Sequence, residues 1–215
     1  MNYKAIQKTD FYKDTYLKIA ELKKDFAVNH SFLHINHVIN NAKKLAKTFS
    51  LNKQQRRLLY IACALHDVGY LEGREEHAQN GSKIAQEFLL KNKFNEKDTK
   101  IICDAIANHG GKSQDALIDP VSMCLAIADK LDFTRTRYKR SLLKKEKADI
   151  FCSIVSNDLS ICENTIVLTI NVLNKFSIEG YENEYFGIKL KNFLNLLSNY
   201  LHCKLKIQYN YVDKK

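Results

Sequence analysis

The sequence predicts a mainly α protein: an all-helical core followed by a small C-terminal α+β subdomain of ββαβ order. Three observations carry this. Apolar residues recur at three- and four-residue spacing up to about residue 147, the repeat of one helix face. Beyond that point the period shortens to two, most clearly in "TIVLTINV" at 165–172, as in a half-buried strand. The chain has 215 residues, of which 45% are apolar and 27% charged. That suits one well-packed domain with a small appendage, and it argues against disorder.

Taken in order, the helical pattern covers 11–28, 32–49, 54–67, 75–92, 96–108 and 119–137. Asn52, Asn95 and Asp119 stand where side-chain N-caps are needed, and Pro120 fits a first helical turn. Gly110-Gly111 after Asn108-His109 is a helix stop. The predicted organisation is a helical domain over 1–140, a basic connector over 141–148 and the α+β part over 149–215. In that part "IFCSIVS" and "TIVLTINV" are β-rich, and the second alternates Ile166, Leu168, Ile170 and Val172. "EYFGIKLKNFLNLLSNYLHC" places Phe186, Leu190, Phe193, Leu197 and Leu201 on one helical stripe, and "KLKIQYNYV" closes as a strand. A unit this small needs support from the helical part or from a second chain. Its edge strands need covering, which makes a homodimer an expectation.

Composition excludes several classes. No uninterrupted apolar run approaches eighteen residues, and "MNYKAIQKTDFYKD" has no apolar signal core, so a cytoplasmic protein without a membrane partner is expected. The six cysteines never come closer than ten residues, so no CxxC zinc or redox pair exists. Most lie in apolar runs, as reduced, packed thiols do. The net charge of +10 sits wholly in residues 1–147, with 27 Lys/Arg against 17 Asp/Glu, while 148–215 balance at 7 and 7. Such a surface attracts phosphates, nucleotides or nucleic acid, or is simply a solvated lysine-rich face. With no Trp, no RNP-like aromatic strand and no recognisable binding motif, nucleic acid is the weakest of these partners.

The polar residues on the helices are more telling. Within 54–67, "LLYIACAL" is apolar on every face, the signature of a helix buried all round, and it ends in His66-Asp67. An imidazole and a carboxylate delivered to an interior are costly without partners, and a cation removes the penalty for both. Gly69 then frees the chain to turn. His77 shares a stripe with Gly81, Ile84, Ala85 and Phe88; His109 extends Ile102, Ala105 and Ile106; Asp129 interrupts the apolar "VSMCLAIA". On the helix at 32–49, at 100° per residue, His34 lies on the edge of the apolar stripe and His37 well round towards the polar side. His34 is therefore the better interior ligand, whereas His37 and His30 either line the mouth of a cleft or face water.

These residues, in this order, resemble the HD superfamily of metal-dependent phosphohydrolases. "HINHVINNAKKLA" is similar to its first element, "ALHDVGY" to the signature pair, "HAQNGSKIAQEFL" and "AIANHGG" to the elements that dinuclear members add, and "AIADKLDFTRTRY" to the distal Asp. The resemblance covers about residues 30–138. It implies that His34, His66, Asp67 and Asp129 hold one metal and that His77 and His109 hold a second, with Asp67 bridging and acting in catalysis. One or two divalent ions are implied; a His/carboxylate set suits Fe, Mn, Co, Ni or Zn, with Mg compatible. The implied reaction is hydrolysis of a phosphomono- or phosphodiester in a nucleotide or related small phosphoester. Lys130, Arg135 and Arg137 either neutralise substrate phosphates or form a solvated helix end, and His37 is a further substrate-side candidate. No acid for the leaving group stands out; Lys130 and His37 are candidates. Tyr70 stands where the cyclic-dinucleotide branch usually carries Lys, and that branch's double histidine and Gly-Tyr-Pro loop are missing. The spacing is more similar to the diadenosine-tetraphosphate hydrolase branch. Two alternatives remain: a metal- or nucleotide-binding sensory module without turnover, and a nucleic-acid-binding protein.

Overall fold

The computed structural model describes residues 1–110 and 119–213. It is mainly helical, with a small mixed sheet near the C-terminal end. The chain divides into two compact units: Met1–Lys24 with His30–Asp129, and Asp25–Asn29 with Lys130–Lys215.

The first unit contains α1 (Tyr3–Ile6), α2 (Asp10–Leu22), α3 (Phe32–Thr48), α4 (Lys53–Leu65), α5 (His77–Lys91), α6 (Glu96–Asn108) and α7 (Pro120–Lys130, whose last residue falls in the second unit). The expected caps form. Asn52 accepts from the Gln55 amide in a reciprocal capping box, Asn95 accepts from the Asp98 amide, and Asp119 Oδ1 accepts from the Val121 and Ser122 amides at 2.9 Å each. The Gly110-Gly111 stop lies partly outside the described residues; α6 ends at Asn108 with His109 as its cap.

α4 is the axis of this unit, packed against α1, α3 and α6. From Leu58 to Leu65 every residue but Tyr60 is buried, each large aliphatic contributing on the order of 1.5–3 kcal/mol. Its last turn is closed from α2, where the buried Tyr16 hydroxyl donates to the Ala64 carbonyl at 2.8 Å. A 3-10 turn, Val68–Glu72, carries the chain from α4 to α5. Gly69 has a different task from freeing a turn. A methyl group there would lie 1.9 Å from the His77 carbonyl oxygen and 2.3 Å from the Gly81 nitrogen. The absence of a side chain is what lets this turn press against the first turns of α5.

The second unit holds α8 (Lys145–Phe151), β1 (Ile154–Cys162), β2 (Thr165–Val172), α9 (Ile178–Glu182), α10 (Tyr185–Leu201) and β3 (Lys204–Tyr211). β1 and β2 pair antiparallel, and β3 joins the other side of β2 in parallel after the helical crossover, giving the order β1-β2-β3. Leu168 thus sits opposite Leu159 on one side and Ile207 on the other. On β2 the expected alternation holds: Ile166, Leu168, Ile170 and Val172 are buried and the intervening residues are not. α10 buries Leu190, Phe193, Leu194 and Leu197, while Phe186 and Leu201 are only half-buried.

Several boundaries differ from the sequence pattern. The helix expected over 11–28 ends at Leu22, because 27–29 run alongside 137–139. Val28 bridges Tyr138, and the Lys139 amide donates to the Ala27 carbonyl at 2.8 Å. The helix expected to reach residue 137 ends at Lys130, where the Asn157 side chain takes the Leu131 carbonyl at 3.0 Å. The expected connector and strand start at 141–156 contain α8, which buries Ala148 and Phe151 one turn apart, so β1 begins only at Ile154. Short apolar runs fit either period, and burial decided between them.

Two predictions follow from packing. Gly69→Ala should destabilise the protein by about 2 kcal/mol or more through overpacking against backbone. In thermal denaturation that lowers Tm by roughly 4–8 °C. Burial pushes the Cys63 and Cys124 thiols up, and both side chains are closed to solvent, whereas Cys162 is exposed. An aqueous thiol reagent should therefore label Cys162 in the folded protein and reach Cys63 and Cys124 only in denaturant.

Candidate metal centre

Five elements of the first unit deliver His or Asp side chains to one interior. α3 supplies His34 in its first turn, and His30 precedes the Ser31 N-cap of that helix. α4 hands over at its C-cap, His66, and Asp67 opens the following turn. α6 presents His109 at its C-cap, and α7 presents Asp129 near its end. The Asn41 side chain ties α3 to α7 by donating to the Ala128 carbonyl at 3.1 Å. Exposure is 2% for His34 and Asp67, 0% for His66 and 1% for His109, which makes the cluster nearly dry.

Three of the histidines share a local device. The ring Nδ1 of His66, His77 and His109 lies 2.9, 2.9 and 2.6 Å from the carbonyl oxygen three residues earlier, Cys63, Arg74 and Ile106 respectively. A carbonyl only accepts, so each Nδ1 carries the hydrogen and each Nε2 of a neutral ring keeps its lone pair. Burial holds His66 below its ordinary pKa despite the nearby Asp67 and Asp129, so its ring is neutral at pH 7. For Asp67, burial works to raise the pKa. The facing His66 and His30, with hydrogen bonds from His30 and His34, outweigh it and hold the carboxyl well below the usual range. Asp67 is therefore ionised.

The crowding is tightest around His34. Its Nε2 lies 3.2 Å from His66 Nε2, 3.3 Å from Asp67 Oδ2 and 3.3 Å from Asp129 Oδ1. One N–H cannot serve a lone pair and two carboxylate oxygens at once, and a cation can. Asp67 faces two ways. Its Oδ2 meets His30 Nδ1 at 2.9 Å as well as His34, and its Oδ1 lies 3.4 Å from His66 Nε2 and 3.9 Å from His109 Nε2. Among the described residues three groups place one ligand atom each within 4.8 Å of the others: His30-His34-Asp67, His34-His66-Asp129 and His66-Asp67-His109. Two imidazole nitrogens with two carboxylates fit a divalent transition ion, and no cysteine belongs to any of these groups.

His77 stands beside these groups and in none of them. It is half-buried, its ring stacked on Tyr70 at 4.3 Å between centroids and edge-on to His109 at 5.1 Å. His37 is half-buried three residues beyond His34. Lys130, Arg135 and Arg137 all belong to the second unit. There Arg137 is buried, pairs with Asp132 at 3.9 Å and donates to the Asn29 carbonyl. The Lys130 ammonium lies 5.6 Å from the Phe193 ring centre, and Arg135 is exposed. His30 is the residue that helical periodicity could not place. It lies before the N-cap, so its direction is set by loop geometry and not by the 100° rule, although its position one turn ahead of His34 was a signal.

Residues 32–134 match the family model described as HD domain. No curated protein matches the chain. Among solved structures, a predicted HD superfamily hydrolase from an uncultured Thermotogales bacterium is similar, at 19% identity, with 66% of this chain and 87% of that chain covered and a TM-score of 0.43. Among the described residues no helix is long and apolar enough to cross a membrane.

A bound ion should stabilise the native state by mass action, by about 2.7 kcal/mol at a hundredfold excess over Kd. Metal-free protein titrated with Mn(II) should therefore show a rising Tm. His34→Ala and His66→Ala should abolish the rise, and Lys24→Gln, on an exposed surface pair, should not.

Proposed function

We infer that this chain, which belongs to the HD-domain superfamily, is a divalent-metal-dependent hydrolase of phosphomono- or phosphodiester bonds, with a nucleotide or related small phosphoester as substrate. The observation that carries this reading is the buried convergence of His34, His66, Asp67 and Asp129, in which one imidazole N–H faces three acceptors. These four residues would hold a first ion. His109, with its Nε2 lone pair turned towards Asp67 Oδ1, would hold a second together with His77, and Asp67 would bridge.

When bound, such ions polarise a phosphoryl oxygen and lower the pKa of the attacking water. The chain's own groups prepare that event. Asp67 is ionised and held through Oδ2 by His30 and His34. The backbone carbonyls of Cys63 and Ile106 fix the tautomers of His66 and His109, so their lone pairs need no rearrangement. Burial keeps the dielectric low, which would strengthen every charge interaction with the charge developing on a transferring phosphoryl group. The same set can serve a sensory module, and turnover separates the two. A cytoplasmic setting accords with the sequence.

Reconstitution with Mn(II) or Fe(II) should yield phosphate or nucleotide release from a panel of an aryl phosphoester, nucleotides and cyclic dinucleotides. Asp67→Ala or chelation should cut the rate by roughly a thousandfold, the several kcal/mol that metal-assisted charge stabilisation supplies. Protein that holds its ions and hydrolyses nothing on the panel is a sensor and contradicts the enzyme.

A further inference from the structure

His30 is not among the residues assigned to an ion above, yet its side chain is only 11% exposed and its Nδ1 lies 2.9 Å from Asp67 Oδ2. That is an ordinary hydrogen-bond distance, and it is shorter than the 3.3 Å from His34 Nε2 to the same oxygen. Its surroundings fix the ring. Tyr70, 8% exposed, packs against it at 4.1 Å between ring centres, and the His34 ring stands edge-on at 5.9 Å. The next residue along the chain is Ser31, the N-cap of α3, whose hydroxyl accepts from the Leu33 amide at 3.3 Å. The start of the helix thus sets where the His30 backbone ends.

An ionised carboxylate only accepts, so the hydrogen of this bond belongs to His30 Nδ1. The last torsion of an aspartate is broad and roughly two-fold, so the backbone of Asp67 alone does not decide where each oxygen points. With Oδ2 at His30, Oδ1 lies 3.4 Å from His66 Nε2 and 3.9 Å from His109 Nε2. His34 cannot supply the same hold while serving an ion, because an Nε2 whose lone pair is committed to a cation has no hydrogen to donate. We propose that His30 is a positioning residue of the metal centre: its Nδ1–H holds Asp67 Oδ2 and thereby aims Oδ1 at the His66–His109 side. The role rests on the metal-dependent hydrolase reading above and adds what orients the carboxylate that would bridge the ions. Hydrogen bonds from outside the coordination shell restrict ligating carboxylates in this way, and their loss lowers metal affinity and turnover together.

The test separates the donor from the ring. His30→Asn keeps an N–H donor the same number of bonds from Cα as Nδ1 and removes the ring. His30→Phe keeps a ring to pack on Tyr70 and removes the donor, and His30→Ala removes both. Mn(II) is titrated calorimetrically into each metal-free full-length protein, with Tm and aryl phosphoester kcat and KM measured on the same samples. The expected result is a Mn(II) Kd raised roughly tenfold or more in His30→Phe and His30→Ala, with His30→Asn within about threefold of wild type. The ion count should stay that of wild type, and kcat should follow the Kd order while KM changes little. Should His30→Phe fold poorly, His30→Asn against His30→Ala still isolates the donor, since both lack the ring. The reverse order, with His30→Phe like wild type and His30→Asn impaired, makes His30 a packing residue and overturns the proposal. So does the loss of an ion from His30→Asn and His30→Ala alike, which makes His30 a ligand, and so does wild type that binds no Mn(II). Failure of the hydrolase reading alone shows separately, as wild type that binds Mn(II) and hydrolyses nothing, with the order of Kd values still deciding the role of His30.

Discussion

Three acceptors beside a single imidazole nitrogen set the terms for everything around Asp67. His66 Nε2 has a lone pair because its Nδ1–H is spent on the Cys63 carbonyl, and Asp67 and Asp129 bring carboxylate oxygens to the same place. In water such a group would separate or hydrate. Here α3, α4 and α7 hold it together by burial of their apolar faces, which costs the native state electrostatic energy that a bound cation would return. The hydrophobic core and the polar cluster are therefore one construction. The second half of α4, Leu58–Leu65, is apolar and buried save Tyr60, which carries the helix end into the interior, and that end is where the His-Asp pair stands.

The supporting bonds are as particular as the clustered His and Asp side chains. The Tyr16 hydroxyl closes the α4 terminus at Ala64, the Asn41 amide fixes the α7 terminus at Ala128, and Gly69 lets the next turn approach α5 without a gap. Each acts one or two residues from a site side chain, so a small shift at any of them moves a donor atom by a comparable distance. His30 adds a second grip on Asp67 from outside the helices.

Much of this was legible in the sequence, for reasons that differ by residue. The helix ends and caps were readable because Asn52, Asn95 and Asp119 each solve a local hydrogen-bonding problem. The inward direction of His34 followed from its angle on the α3 stripe. The direction of His30 did not, since it precedes the cap and the loop alone aims it. Gly69 was readable as special but not for the right reason: its role is a close approach to the backbone of His77 and Gly81 in the next helix, which a turn signal does not encode. The pairing of 27–29 with 137–139 and the burial of Arg137 were equally hidden. Both arise from contacts more than a hundred residues apart, to which helical periodicity over 11–28 and 119–137 is blind.

The most direct measurement is anomalous diffraction at the manganese edge from crystals of the full-length protein grown with Mn(II). A peak amid His34, His66, Asp67 and Asp129 is the expected result, with a second peak on the His109 side of Asp67 for the dinuclear form. A map with full density for these side chains and no peak among them contradicts a cation as the partner of this cluster.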